Sequence, residues 1–336
     1  MSKKIAIIGG GIIGCLTAIK LKQSGFEVSV VDKHEIGKES SWAGAGILFP
    51  LMPWNYEPKV YELCKLASKF YENLSIKLYD STGIDPEYKR TGMTLIPPYK
   101  KDDVIEWAKL QGIPFKETFF RNSESIYFPS IAQIRSPRLM RSIKLFMEKM
   151  EIKIIENMEL AEIQDKEGVV KKWPTNKNSY IVADYYVITS GAWTSNLKDN
   201  YKSKIYPVRG QMIQYKASNL KIKNILYSND FYILQRKDGV IIAGSTIEEV
   251  GFDETVTIEK KEALMRKAEV LVPNLTNIQV ENHWAGFRPG TKENIPFIQK
   301  DDDYENVFIN SGHFRYGLTM APQSAENLNT ILIKSI

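Results

Sequence analysis

The chain of 336 residues is long enough for one large or two smaller buried cores, and its 43% hydrophobic and 25% charged residues exclude a fibrous or disordered polypeptide. The net charge of +5 comes from lysines scattered along the chain, among them Lys20, Lys22, Lys33, Lys65 and Lys69, which argues against a nucleic-acid-binding face. Two cysteines, Cys15 and Cys64, allow at most one bridge, and with Cys15 placed inside an apolar helix a reducing cytoplasm is the expected setting.

At the N-terminus, Lys3 and Lys4 precede an apolar run from Ile5 to Ile19 that Gly9, Gly10, Gly11 and Gly14 interrupt. Such a run is too short to span a bilayer and too glycine-rich for a signal segment, so neither is expected. Ile5-Ala6-Ile7-Ile8 instead has the unbroken apolar character of a central parallel strand. Ile12, Leu16 and Ile19 recur at helical spacing, Gly25 stands where a helix would be capped, and Val28 to Val31 forms a second strand ending at Asp32. Together these make one βαβ unit.

The strand-then-glycine pattern returns twice, at Tyr186 to Thr189 before Ser190-Gly191-Ala192 and at Val307 to Ile309 before Ser311-Gly312, the latter followed by a helix from about Ala321 to Ile333. Between these pieces lie alternating stretches such as Phe231-Tyr232-Ile233-Leu234 and Val240-Ile241-Ile242-Ala243, which suggest antiparallel strands. The expected division is a discontinuous α/β domain over 1–50, 135–205 and 285–336, with a second, mainly antiparallel α+β domain inserted as 51–134 and 206–284.

Gly9-x-Gly11-x-x-Gly14 follows a strand and opens a helix, the context this fingerprint needs. Gly9 permits a tight turn, Gly11 admits a pyrophosphate to the backbone, and Gly14 lets helix and strand pack closely, while the helix N-terminus faces the phosphate charge. Asp32 closes the second strand, where a carboxylate can accept from ribose hydroxyls. The small-residue segment Gly37 to Leu48 stands where an NAD enzyme of Rossmann type would have its next helix, and such a loop can run beside a flat ring and its ribityl chain. These features favour FAD, and the fold class is α/β, a Rossmann-like FAD-binding domain with an inserted substrate domain.

Further motifs are Ser190-Gly191-Ala192-Trp193, Pro207-Val208-Arg209-Gly210-Gln211, Trp284 to Gly290, and Gly312-His313-Phe314-Arg315-Tyr316-Gly317. With them the sequence resembles, over nearly its whole length, the glycine oxidase and D-amino acid oxidase family of FAD enzymes, especially the glycine oxidases linked to thiamine synthesis. Gly9, Gly11 and Gly14 count as cofactor-binding through the fingerprint, and the resemblance implies that Ile12, Ile13, Asp32 and Lys33 meet the adenosine and pyrophosphate part of FAD, with a backbone contact to the adenine near Glu159. It places Ser40, Ser41, Ala45, Gly46 and Ile47 along the ribityl chain and flavin, adds Gly191, and wraps His313, Phe314, Arg315, Tyr316, Gly317, Leu318 and Thr319 around the flavin edge. It assigns the substrate carboxylate to Arg288, assisted by Tyr232, with Arg315 as a further pocket arginine. Two departures concern the substrate: Ile247 stands where a characterised glycine oxidase has methionine, and Tyr316 replaces a common asparagine. Relatives that attach flavin covalently use a cysteine on the C-terminal flavin loop, and this chain has none there, so the cofactor is expected to be held non-covalently.

The chemistry asks mainly for positioning. A planar guanidinium grips a carboxylate through two parallel hydrogen bonds, which suits Arg288 to orienting an amino acid, and no side chain is required as acid or base. His313 reads as a loop-packing residue, and no Cys/His spacing suggests a metal. Phe49, in the bulky run Phe49 to Trp54, is expected at the pocket entrance, which favours small substrates such as glycine, sarcosine and D-alanine. Three other functions stay open. One is a D-amino acid dehydrogenase passing electrons to a quinone instead of oxygen, another is a flavin domain acting on a modified tRNA base, and the last is a flavin-binding scaffold without activity. The tRNA reading calls for a basic docking surface that the sequence does not display. A homo-oligomer is compatible with the sequence.

Overall fold

The computed structural model describes residues 2–50, 52–163 and 168–336. The first sheet has six strands in the order Phe297–Lys300, Val307–Ser311, Tyr185–Ile188, Lys4–Ile8, Glu27–Val31 and Lys153–Ile155. All pairings are parallel except that of the edge strand Phe297–Lys300. Lys4–Ile8 sits near the middle with Ile5, Ala6, Ile7 and Ile8 all buried, because layers cover both faces of a parallel sheet. One layer contains helices Ile12–Gln23, Ser136–Lys149 and Gly317–Ser335, and the other is built around Trp173, Tyr186 and Tyr201.

The second sheet has eight strands: Val280–Gly290, Tyr206–Lys216, Val240–Gly244, Phe231–Gln235, Ile225–Ser228, Met93–Leu95, Ser123–Phe128 and Lys116–Phe120. Only Ile225–Ser228 with Met93–Leu95 runs parallel, so the antiparallel expectation describes this sheet well. Helix Ile258–Leu271 covers one face, with Leu264, Ala268 and Leu271 buried against Ile213, Ile233 and Ile241. The other face packs on helices Pro58–Cys64 and Lys101–Leu110 and also holds Ala45, Phe49, Tyr232 and Tyr316.

The structure departs from the sequence reading in three places. Residues 67–82, within the segment 51–134 expected in the inserted domain, form helix Ala67–Thr82, which buries Tyr71, Leu74 and Leu78 in the same cluster as helices Ile12–Gln23 and Gly317–Ser335. Strand Val280–Gly290 continues across the expected 284/285 boundary, paired with Tyr206–Lys216 from Tyr206↔Gly290 to Tyr215↔Val280. The C-terminal helix begins at Gly317 and includes Pro322. Proline cannot donate to the Leu318 carbonyl one turn back, and the buried Tyr71 hydroxyl donates to it instead at 2.8 Å. Among the described residues, no helix is long and apolar enough to cross a membrane.

Candidate active site

A cleft between the two sheets encloses about 1780 Å³ of non-protein space, its open mouth included. Its lining runs from the glycine turn at Gly9 and Gly11, past residues 43–47, to Arg288. One end is the glycine turn. Gly9, at φ +112°, lies so close to Thr189 and Ser190 that no side chain would fit. Helix Ile12–Gln23 has no side-chain cap and no acidic residue in its first turn, although the Ile12 N–H reaches the Ser41 hydroxyl at 2.9 Å. An N-terminus that carries no acidic side chain and faces a cleft is suited to an anion. Gly14 does not line the cleft: a Cβ there would strike the Gly9 carbonyl, which agrees with its expected role in helix–strand packing.

Asp32 is aimed by the backbone, its carboxylate accepting from the Gly10 N–H at 2.6 Å and the His34 N–H at 2.8 Å. Burial raises its pKa, against the lowering effect of those N–H bonds. Asn310, which also lines the cleft, donates to the Thr17 hydroxyl while its Oδ1 is buried without a partner. Lys33, with its ammonium 3.8 Å from the centre of the Trp193 ring, and Glu159 complete this end. A phosphate-facing helix terminus, a ribose-height carboxylate and an unused buried acceptor fit the adenosine and pyrophosphate half of FAD.

The middle of the cleft follows residues 43–47, whose successive carbonyls each accept from a different element. The Ala43 carbonyl takes Trp284 Nε1 at 3.1 Å, Gly44 the Ser136 hydroxyl at 2.9 Å, and Ala45 Arg236 Nη2 at 2.7 Å. Gly46 takes the Ile134 N–H at 2.8 Å, and Ile47 the Thr319 hydroxyl at 3.4 Å. Gly46 has φ +72°, and a Cβ on it would overlap the Ile134 carbonyl. The loop is therefore a rigid wall. Ser40, its hydroxyl bonded to the Phe287 carbonyl, and Ser41 lead into it. Gly191, His313, Phe314, Arg315, Tyr316, Gly317, Leu318 and Thr319 line the cleft. His313 is buried with Nε2 2.9 Å from the Ser324 hydroxyl, and burial pushes its pKa down to about 3. It is neutral at ordinary pH.

The far end holds Arg288. Its Nη1 donates to the Thr246 carbonyl at 3.1 Å and its Nη2 to the Ser245 hydroxyl at 2.7 Å, both neutral acceptors. Enclosure pushes its pKa down to about 10, and no carboxylate among the described residues touches it. A charged group so placed calls for an anionic ligand. Arg315 differs: its Nη1 is bound to Asp230 at 2.7 Å, and its Nη2 is buried without a partner. Tyr232 lines the cleft with its hydroxyl 3.6 Å from Met212 Sδ, and Phe49 joins the wall while its ring packs against Trp107 and Phe128.

Ile247 does not line the cleft. It follows the Arg288 contacts on an exposed loop, and 47% of its surface is open to solvent. Leu51, in the bulky run after Phe49, lies outside the described residues. Residues the sequence reading did not single out are Gly210, Met212, Ser245, Trp193 and Asn310, all cleft-lining. Of these, Gly210 and Trp193 carried a signal, as members of the Pro207 to Gln211 and Ser190 to Trp193 motifs. Neither cysteine lines the cleft, both being buried in the cores.

Comparison with known proteins agrees with this geometry. The model of the DAO family, FAD dependent oxidoreductase, matches residues 4–329. A glycine oxidase of Pseudomonas putida is 34% identical over 99% of this chain and 95% of its own length. The bifunctional protein ThiO/ThiG of Nostoc is 26% identical over 99% of this chain but only 53% of its own length. The crystal structure of glycine oxidase from Geobacillus kaustophilus superimposes with a TM-score of 0.90 at 21% identity, covering 99% of this chain and 95% of that one.

Proposed function

Because the chain belongs to the DAO family of FAD-dependent oxidoreductases, we propose that it oxidises the amine of glycine or another small amino acid, such as sarcosine or D-alanine, with oxygen as the acceptor. The observation that carries this reading is Arg288, a guanidinium that among the described residues is bonded only to neutral groups, in the same cleft as the dinucleotide turn. FAD, when bound, supplies the electron sink for removal of the Cα hydrogen. The protein's own work is to hold and orient. Arg288 grips the carboxylate, which fixes the Cα hydrogen relative to the wall at residues 43–47, and Tyr232 and Phe49 bound the space left for a side chain. His313, neutral and bound to Ser324, is not needed as a base. The product imine hydrolyses in water to a 2-oxo acid and ammonia or an amine. The Nostoc relative's name supports a place for the reaction in thiamine synthesis.

The test is anaerobic flavin bleaching with a panel of amino acids. Glycine, sarcosine and D-alanine are expected to bleach the flavin faster than D-phenylalanine or D-arginine, and admission of air should yield hydrogen peroxide. Failure of every amino acid to bleach the flavin would overturn the reading. Bleaching without peroxide would retain the amine oxidation and replace oxygen with another acceptor.

A further inference from the structure

We propose that Glu248 is the positioning residue of the Arg288 clamp, fixing through Thr246 the loop on which both guanidinium nitrogens end. The inference rests on the reading of Arg288 as the carboxylate-binding group.

Residues 245–248 follow strand Val240–Gly244 and return along strand Tyr206–Lys216. The backbones of Arg209 and Glu248 exchange hydrogen bonds, with the Arg209 N–H donating at 2.9 Å and the Glu248 N–H at 3.0 Å. The side chains repeat the connection. Glu248 accepts from Arg209 Nη2 at 2.9 Å, Gln211 Nε2 at 3.0 Å and the Thr246 hydroxyl at 2.5 Å. Thr246 in turn accepts from the Gln211 N–H at 2.8 Å through its hydroxyl, and its own N–H donates to the Gln211 carbonyl at 3.2 Å. Its carbonyl then receives Arg288 Nη1, while the adjacent Ser245 hydroxyl receives Nη2. A chain of bonds runs from one largely buried carboxylate to the clamp, with only 11% of the Glu248 side chain exposed.

Charge points the same way. Arg209 pairs with Glu248 and also, at 2.7 Å, with Asp253, so this cluster holds one more carboxylate than guanidinium. The surplus lies behind Arg288, which no carboxylate among the described residues touches, and the field of Glu248 favours its charged form. Arg315, whose charge opposes that of Arg288, already has Asp230. Neutralising Glu248 therefore loosens the seat of Arg288 and removes a favourable field from it, while the residues of the glycine turn and the 43–47 wall are untouched.

The experiment compares Glu248→Gln and Thr246→Val with the wild type in the FAD-loaded protein. It measures KM and kcat for glycine, the Kd of acetate from its perturbation of the flavin absorbance, flavin content and thermal stability. Thr246→Val leaves the Glu248–Arg209 pair in place and removes the two bonds of the Thr246 hydroxyl, the one it donates to Glu248 and the one it accepts from the Gln211 N–H. Both variants are expected to keep FAD and to raise the glycine KM and the acetate Kd about tenfold, with a change in kcat of less than twofold. Unchanged KM and acetate Kd in Thr246→Val overturn the proposal, as does a Glu248→Gln effect that appears only together with loss of FAD and of stability. Arg288→Lys is measured alongside: if it too leaves both constants unchanged, the clamp reading itself fails, whereas a large effect there with silent Glu248→Gln and Thr246→Val defeats the positioning role alone.

Discussion

Replacing Gly210 by alanine tests the clamp without touching its charge. Gly210 lies on strand Tyr206–Lys216 opposite Gly286, and its φ is not positive, so alanine brings no backbone strain. What alanine would meet is the guanidinium: a Cβ built there overlaps Cζ and both Nη atoms of Arg288. The guanidinium is the movable partner and must retreat by about 1 Å to restore ordinary contact. Its bonds to Ser245 and Thr246, now 2.7 and 3.1 Å, would stretch past hydrogen-bonding range. Loss of one or both charge-assisted bonds to a bound carboxylate costs about 2–4 kcal/mol, or roughly 30- to 900-fold in kcat/KM. Glycine kinetics should show this fall, with flavin content and melting temperature close to wild type. A kcat/KM within threefold of wild type in a fully flavin-loaded variant would refute the idea that Gly210 is the floor on which Arg288 lies.

Three further outcomes are expected. The purified protein should be yellow and release its flavin into the supernatant on acid or heat precipitation, because neither cysteine faces the cleft; flavin left in the pellet would show a covalent bond. Tyr71→Phe leaves the Leu318 carbonyl without a donor and should lower stability by about 1–3 kcal/mol in denaturant titrations, and a loss under 0.5 kcal/mol would mean another group satisfies that carbonyl. His313 has its pKa lowered from 6.5 to about 3, so between those values the unfolded chain binds a proton that the folded one does not, and stability falls as pH drops through this window. Its share of the loss between pH 8 and pH 5 is about 2 kcal/mol, and His313→Asn should show a correspondingly shallower decline; an equal slope in both proteins would assign the acid sensitivity elsewhere.

Local signals in the sequence survive into the structure where they govern local geometry. The glycine turn, Asp32 and the strands at 186, 231, 240 and 307 depend on nearest neighbours and hydrophobic period, and each is found where its residues indicate. The start of the C-terminal helix was not legible, because Pro322 is a breaker by its own chemistry and is tolerated only by virtue of a hydroxyl from Tyr71, far earlier in the chain. Residues 67–82 fall in the segment assigned to the inserted domain, yet the helix they form packs with the other sheet, because an amphipathic face states that it must be buried, not against what.

The substrate end separates two kinds of inference. Matching by position assigned Ile247 to the pocket, yet that side chain is turned to solvent, and the methionine beside Tyr232 is Met212 from another strand. Arg288 and Arg315 are indistinguishable as pocket arginines in the sequence. They are told apart only by their partners, since Asp230 neutralises one and none of the described carboxylates touches the other. The role of Gly210 is equally a property of a pair, because its missing side chain has meaning only when a cross-strand neighbour lays a guanidinium over it. A guanidinium seated on a bare glycine and held by neutral acceptors retains its charge for a ligand, and that arrangement exists only once strands Tyr206–Lys216 and Val280–Gly290 have paired in register.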